Sequence, residues 1–144
     1  MQTQCPECGA DWSDGATCED DFHQMLFWEQ ADARLWVVHH LMVLSFHLQH
    51  PSRYSPETLQ SSKQMLVDFL ENGITPQQMR AKMRDAVDSG KRKHKITGTP
   101  ESHGVYEHPF AWEMRACDVV ATGAERYIER VQAWAQAILK NLRA

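Results

Sequence analysis

No apolar run in this chain of 144 residues is long enough to cross a bilayer. The richest stretch, Leu35 to Leu48, is too short and carries His39, His40 and His47, so no membrane partner is expected. Met1-Gln2-Thr3-Gln4 offers neither a basic segment nor the apolar segment of a secretory leader, which leads to an expectation of a cytoplasmic protein. Also missing are G-x-x-x-x-G-K-[ST], G-x-G-x-x-G and G-x-S-x-G, which leaves nucleotide binding and nucleophile-elbow chemistry without support. No segment alternates apolar and polar residues for long enough to form a core strand. A basic surplus is lacking too: Lys and Arg number 15 against 19 Asp and Glu, a net charge of −4. With acidic residues spread along the whole chain, this balance argues against a nucleic-acid partner.

Cysteine is scarce, and its placement is correspondingly informative. Three of the four fall early, as Cys5-Pro6-Glu7-Cys8-Gly9 and then Cys18. A C-x-x-C turn sets two thiolates on one side of a tight loop. Pro6 fixes φ there, and Gly9 permits the left-handed conformation that lets backbone N–H groups point at sulfur. Such a zinc knuckle supplies half of a Zn2+ site. A redox dithiol would instead sit at a helix N-terminus after a strand, and only four residues precede Cys5. Cys117 lies far away in a helical pattern and reads as a small buried apolar residue.

The remainder reads as helix punctuated by caps. Asp20 and Asp21 are placed to cap a helix from about Phe22, with Phe22, Met25, Leu26 and Glu29 at helical spacing. Asp32 is a candidate second cap, before an almost entirely apolar helix that ends at His50-Pro51. Whether residues 19–50 form one helix or a hairpin broken near Asp32 stays open. Ser55-Pro56 starts the next helix and Asn72-Gly73 stops it. Thr75-Pro76-Gln77-Gln78 starts another, ending near Ser89-Gly90. Residues 91–109 then read as a long loop, a lid or a mobile segment, with a basic run from Lys91 to Lys95 that is solvated in the plainer reading. A capping box at Thr122-Gly123-Ala124-Glu125 opens the last helix, whose face comprises Ala124, Tyr127, Ile128, Val131, Trp134, Ala135, Ile138 and Leu142. The expected fold is all-α: a knuckle over residues 1–20, appended to a bundle of about four to five helices over residues 21–144, in a single domain.

A closed zinc site needs four protein ligands, so Cys5, Cys8 and Cys18 require a fourth, and eight histidines compete. His50 leads, because a hairpin at Asp32 would return the end of the central helix to Cys18. His39 and His23 follow. On a continuous helix, His40 and His47 would share a stripe with Glu29, and Glu57, Glu71, His103, His108 or Glu113 would complete an open catalytic metal site. The paired histidines with intervening glutamate of hydrolytic zinc helices are absent.

Together, Cys5-Pro6-x-Cys8-Gly9, Cys18, Val38-His39, Leu48-Gln49-His50-Pro51 and Trp134-Ala135 resemble a family of small bacterial proteins described only as a domain of unknown function. The similarity spans nearly the whole chain. It implies a ligand list of Cys5, Cys8, Cys18, His39 and His50, and a helix break where family members often carry Asp-Pro and this chain has Asp32-Ala33. His40 and His47 lie outside the shared pattern. No activity comes with the resemblance. The function expected is a structural zinc site joining the knuckle to the central helix, in a scaffold for a protein partner or a homodimer. The competing expectation is a metal-dependent, hydrolase-like enzyme with an open coordination position.

Overall fold

Thr17, rather than Asp20 or Asp21, starts the first helix of the computed structural model, which describes residues 3–87, 98–106 and 111–143 and, within 83–87, the backbone alone. The Thr17 hydroxyl accepts from the Asp20 N–H at 3.2 Å, and the Asp20 carboxylate accepts the Thr17 N–H at 2.8 Å. This reciprocal box places Cys18 in the first turn of α1 (Cys18–Ala31). The helix stops at Asp32, whose carboxylate accepts the Arg34 N–H at 3.1 Å and caps a 3-10 turn over Ala33–Val38. Next, α2 (His39–Gln49) ends at His50, ahead of Pro51. Residues 19–50 are thus a broken pair of helices, and the chain doubles back at Asp32.

The later caps follow the sequence pattern closely. Ser55 caps α3 (Pro56–Glu71), and Gly73 follows its end with φ +69°. Thr75 and Gln78 exchange hydrogen bonds of 2.9 and 3.1 Å at the start of α4 (Pro76–Val87). The stop expected at Ser89-Gly90 and the basic run Lys91 to Lys95 lie outside the described residues. Beyond them come α5 (Ala116–Ala121), a 3-10 turn over Ala124–Arg126, and α6 (Tyr127–Arg143). The capping box expected at Thr122 does not form: its hydroxyl donates to the Val119 carbonyl at 3.0 Å, closing α5 instead. Six α-helices and no strand occur among the described residues, so the fold is all-α, and no described helix is long and apolar enough to cross a membrane.

The core forms where α2 packs against α3 and α6 while α1 packs against α5. On α6 the side chains of Tyr127, Val131, Trp134, Ala135 and Ile138 are buried, as their spacing predicts. Large apolar groups of this kind contribute about 1.5–3 kcal/mol each when removed from water. Gln49 is fixed in the same core, donating to the Met114 carbonyl at 2.7 Å and accepting from Trp134 Nε1 at 3.2 Å. That pair of bonds sets the C-terminal end of α2, and with it the direction of His50.

Residues 98–106 are tied down, unlike a free lid. Gly98 N–H donates to the Arg53 carbonyl at 3.1 Å, Gly104 N–H to that of Tyr54 at 2.8 Å, and Tyr106 Oη to that of Leu48 at 2.5 Å. A Cβ on Gly104 would stand 2.8 Å from the Pro51 oxygen, so glycine permits this close approach.

Candidate metal centre

The knuckle forms from its own backbone. Cys5 N–H donates to the Ala10 carbonyl at 2.8 Å and Gly9 N–H to that of Cys5 at 3.0 Å, closing a turn that requires φ +79° at Gly9. Within that turn the Cys8 N–H points at Cys5 Sγ, 3.4 Å away. Two further bonds dock it on the rest of the chain, and a third closes the loop on itself. Arg115 Nε donates to the Cys8 carbonyl at 2.5 Å, the Ser52 N–H to Glu7 Oε1 at 3.2 Å, and the Trp12 N–H to the Thr3 carbonyl at 2.7 Å fixes the returning strand of the loop.

Docked in this way, the sulfurs of Cys5, Cys8 and Cys18 and a ring nitrogen of His50 all lie within 4.8 Å of one another, and all four residues are buried. The Sγ atoms of Cys8 and Cys18 are 3.5 Å apart, and all three cysteines are free thiols. Tetrahedral coordination at the usual zinc–sulfur distance gives sulfur pairs about 3.8 Å apart, so the spacing suits an ion at the centre.

His50 supplies the sharper test. Its Nδ1 donates to the Phe46 carbonyl at 2.8 Å, and a carbonyl accepts only, which leaves the lone pair on Nε2. That atom is buried and has no hydrogen-bond partner. An orphaned buried acceptor among three thiols is costly unless a cation fills the gap. With thiols alone as neighbours, burial pulls the His50 imidazole down, but Cys18, Cys5 and the Phe46 carbonyl outweigh it and lift the group to about 9. Hydrogen bonds from Cys18 and Cys8 pull the Cys5 thiol down, whereas the Cys18 and Cys5 sulfurs push the Cys8 thiol up.

The other candidates lie elsewhere. His39, on the ligand list drawn from the resemblance, turns its Nδ1 to Glu29 Oε1 at 2.7 Å, away from the sulfur cluster, and His23 is exposed on α1. His40 and His47 do not join Glu29 in an open metal site, because the break at Asp32 removes the continuous stripe that such a site requires. The His47 ring packs against that of Tyr54, with centroids 4.0 Å apart and planes tilted by 32°. Glu71 pairs with Arg143 at 2.6 Å, Glu113 with Lys140 at 3.0 Å, and His103 Nδ1 bonds the Gly104 carbonyl at 2.9 Å. His108 lies outside the described residues. Cys117 is half-buried, and burial pushes its thiol up to about 11.

A second polar cluster was not legible as such in the sequence. Glu29 is fully buried in α1, accepting from His39 Nδ1 on one oxygen and from Tyr127 Oη at 2.5 Å on the other. The available signal was a carboxylate standing on the apolar face defined by Phe22, Met25 and Leu26. Beside the metal centre, a cleft of about 360 Å³ is lined by Cys5, Cys18 and His50 with Trp12, Glu7 and Arg53.

No curated protein and no solved structure matches the chain. The model of a family of unknown function, DUF5946, matches residues 3–143, and the chain belongs to that family.

Proposed function

We propose that Cys5, Cys8, Cys18 and His50 hold one Zn2+ ion as a closed structural site, and that the ion fastens the knuckle to both ends of the α1–α2 hairpin. The observation that carries this reading is the buried, partnerless Nε2 of His50, whose tautomer is fixed by the Phe46 carbonyl. Carbonyl-oriented imidazole beside thiolates is the ordinary outer support of a zinc ligand. Three thiolates and one imidazole suit zinc better than hard cations, which prefer oxygen. Cys5, Cys8 and Ala10 join the buried core with Trp12 packed against it, and the binding free energy of the ion adds to the folding free energy of this lobe.

Metal analysis of the purified full chain tests the assignment. One zinc per chain is expected for the wild type and for His39→Ala, with the metal lost in Cys8→Ser and His50→Ala. Full occupancy in His50→Ala overturns it. The helices then act as a scaffold for a protein partner or a second copy, a role supported by the exposed side chains of Phe27, Trp36 and Val37. Light scattering that finds a monomer at every concentration removes the homodimer.

A second reading, a hydrolase-like metal enzyme, draws on the cleft that reaches Cys5, Cys18 and His50. X-ray absorption separates the two. Three sulfurs and one nitrogen at the zinc mean structure, whereas a water oxygen replacing a protein ligand means an open position.

A further inference from the structure

Glu29 is a carboxylate with no exposed surface in the middle of a helical core, and both of its oxygens are engaged. Tyr127 Oη closes one side from α6. On the other side His39 Nδ1 is held at 2.7 Å, while 19% of the His39 side chain reaches solvent. The carboxylate accepts from Nδ1, and the lone pair of the neutral ring is on Nε2. A buried anion behind an imidazole orients the ring and stabilises the cation that forms when Nε2 takes a proton.

The surroundings of His39 add a surface for a substrate. The Trp36 ring lies 4.3 Å from the imidazole by centroid and is 40% exposed, with Val37 exposed beside it in the same 3-10 turn. His40 is 5.4 Å away, and the exposed Arg80 of α4 is close enough to His40 to depress it electrostatically. This is an oriented base beside an apolar, partly aromatic wall, with a cation nearby. It lies apart from the sulfur cluster and stands whether or not metal binds there.

We propose that His39 is a general base for hydrolysis of an ester with an apolar or aryl group, with Glu29 as its positioning residue and Trp36 as the substrate wall. Nε2 takes a proton from water as the water oxygen bonds to the carbonyl carbon. The tetrahedral adduct then collapses, breaking the bond to the alcohol oxygen, and the proton on Nε2 leaves with the alcohol or to buffer. Ester and water become acid and alcohol, and no further reactant is needed.

The probe is p-nitrophenyl acetate with the full chain, following nitrophenolate release. The informative variant is His39→Asn, whose amide keeps a donor for Glu29 at the place of Nδ1 while deleting Nε2. A structural histidine would leave this variant unchanged, whereas a base predicts a rate lower by about 100-fold. Glu29→Gln is expected to lower kcat about tenfold with KM unchanged, and Trp36→Ala to raise KM with kcat unchanged. His23→Ala, an exposed imidazole, keeps the wild-type rate. Multiple turnovers lost in His39→Asn support the proposal, with circular dichroism confirming that the chain remains helical. Wild-type turnover in His39→Asn overturns it, as does release that stops at one equivalent in the wild type.

Discussion

His39 and His50 stand at the two ends of α2, and each gives its Nδ1 proton to an oxygen. The two acceptors make different chemistry from the same side chain. A backbone carbonyl behind His50 fixes Nδ1 as the donor and leaves Nε2 buried among thiols. A fully buried carboxylate behind His39 accepts from its Nδ1, while 19% of the His39 side chain reaches solvent. One end of the helix is prepared for a cation supplied from outside, and the other for a proton. The polar groups of the sulfur cluster are incomplete by themselves, whereas those of Glu29 and Tyr127 satisfy each other.

The largest effect expected from this contrast is on metal removal. A chelator should release the knuckle while the helices persist, because apparent zinc-binding energies in small modules reach about 10–16 kcal/mol, far more than the Arg115 and Ser52 hydrogen bonds that also hold it. Hydrogen exchange reads it directly. The Cys5 and Gly9 amides, bonded within the turn, should exchange orders of magnitude faster after chelation, while those of α6 are unchanged. Equal acceleration in both would show that the ion supports the whole fold.

Breaking the other cluster should cost less and act globally. Glu29→Leu strands the His39 and Tyr127 donors in the core and is expected to destabilise the chain by about 3 kcal/mol. Tyr127→Phe leaves one carboxylate oxygen unsatisfied and should cost about 1–3 kcal/mol. Urea denaturation measures both. A larger loss in Tyr127→Phe than in Glu29→Leu would move the centre of this network from the carboxylate to the Tyr127 hydroxyl.

These two clusters were unequally legible in the sequence. The knuckle could be read because C-P-x-C-G is local: proline, glycine and sulfur spacing specify the turn without help from distant residues. Helix boundaries at Ser55-Pro56, Asn72-Gly73 and Thr75-Pro76 were legible for the same reason. The starts expected at Asp20-Asp21 and at Thr122 were misread because either end of a cap motif offers a hydroxyl or carboxylate, and neighbouring turns decide which is used. Placing His50 beside the thiols needed the fold-back at Asp32, which the chain left open. Glu29 to His39 and Tyr127 is tertiary, spanning three elements, and helical periodicity contains no term for it.

At the metal end of α2, His47 supplies a pH-dependent test. Burial, with the charge of His50 adding to it, lowers its pKa from 6.5 to about 4, and its Nδ1 is buried without a partner. The folded chain therefore binds fewer protons there than the unfolded chain between these values. The stabilisation is present above pH 6.5 and is lost as the pH falls through the window to 4, by about 3 kcal/mol. His47→Phe should flatten that part of the stability profile. An unchanged acid slope would assign the loss to other groups, among them the thiolates as they protonate and release metal.

The smallest expected effect concerns Asp21, one turn from Cys18 in α1 and 8% exposed. Burial, followed by the charges of Asp14 and Asp20, raises its carboxyl from 3.8 to about 6. The folded state favours the neutral form, so its contribution is fully present below pH 3.8 and is lost as the pH rises through 6. At pH 7.5 the ionised carboxylate opposes folding, and a filled site of three thiolates around one divalent cation would add negative charge nearby. Asp21→Asn should therefore stabilise the chain at pH 7.5 by about 1 kcal/mol, less than the full shift because the carboxylate keeps some water. The gain should vanish in acid. Thermal melts at pH 7.5 and 4 measure it, and a loss at pH 7.5 would mean that the carboxylate is held by a cation on this face.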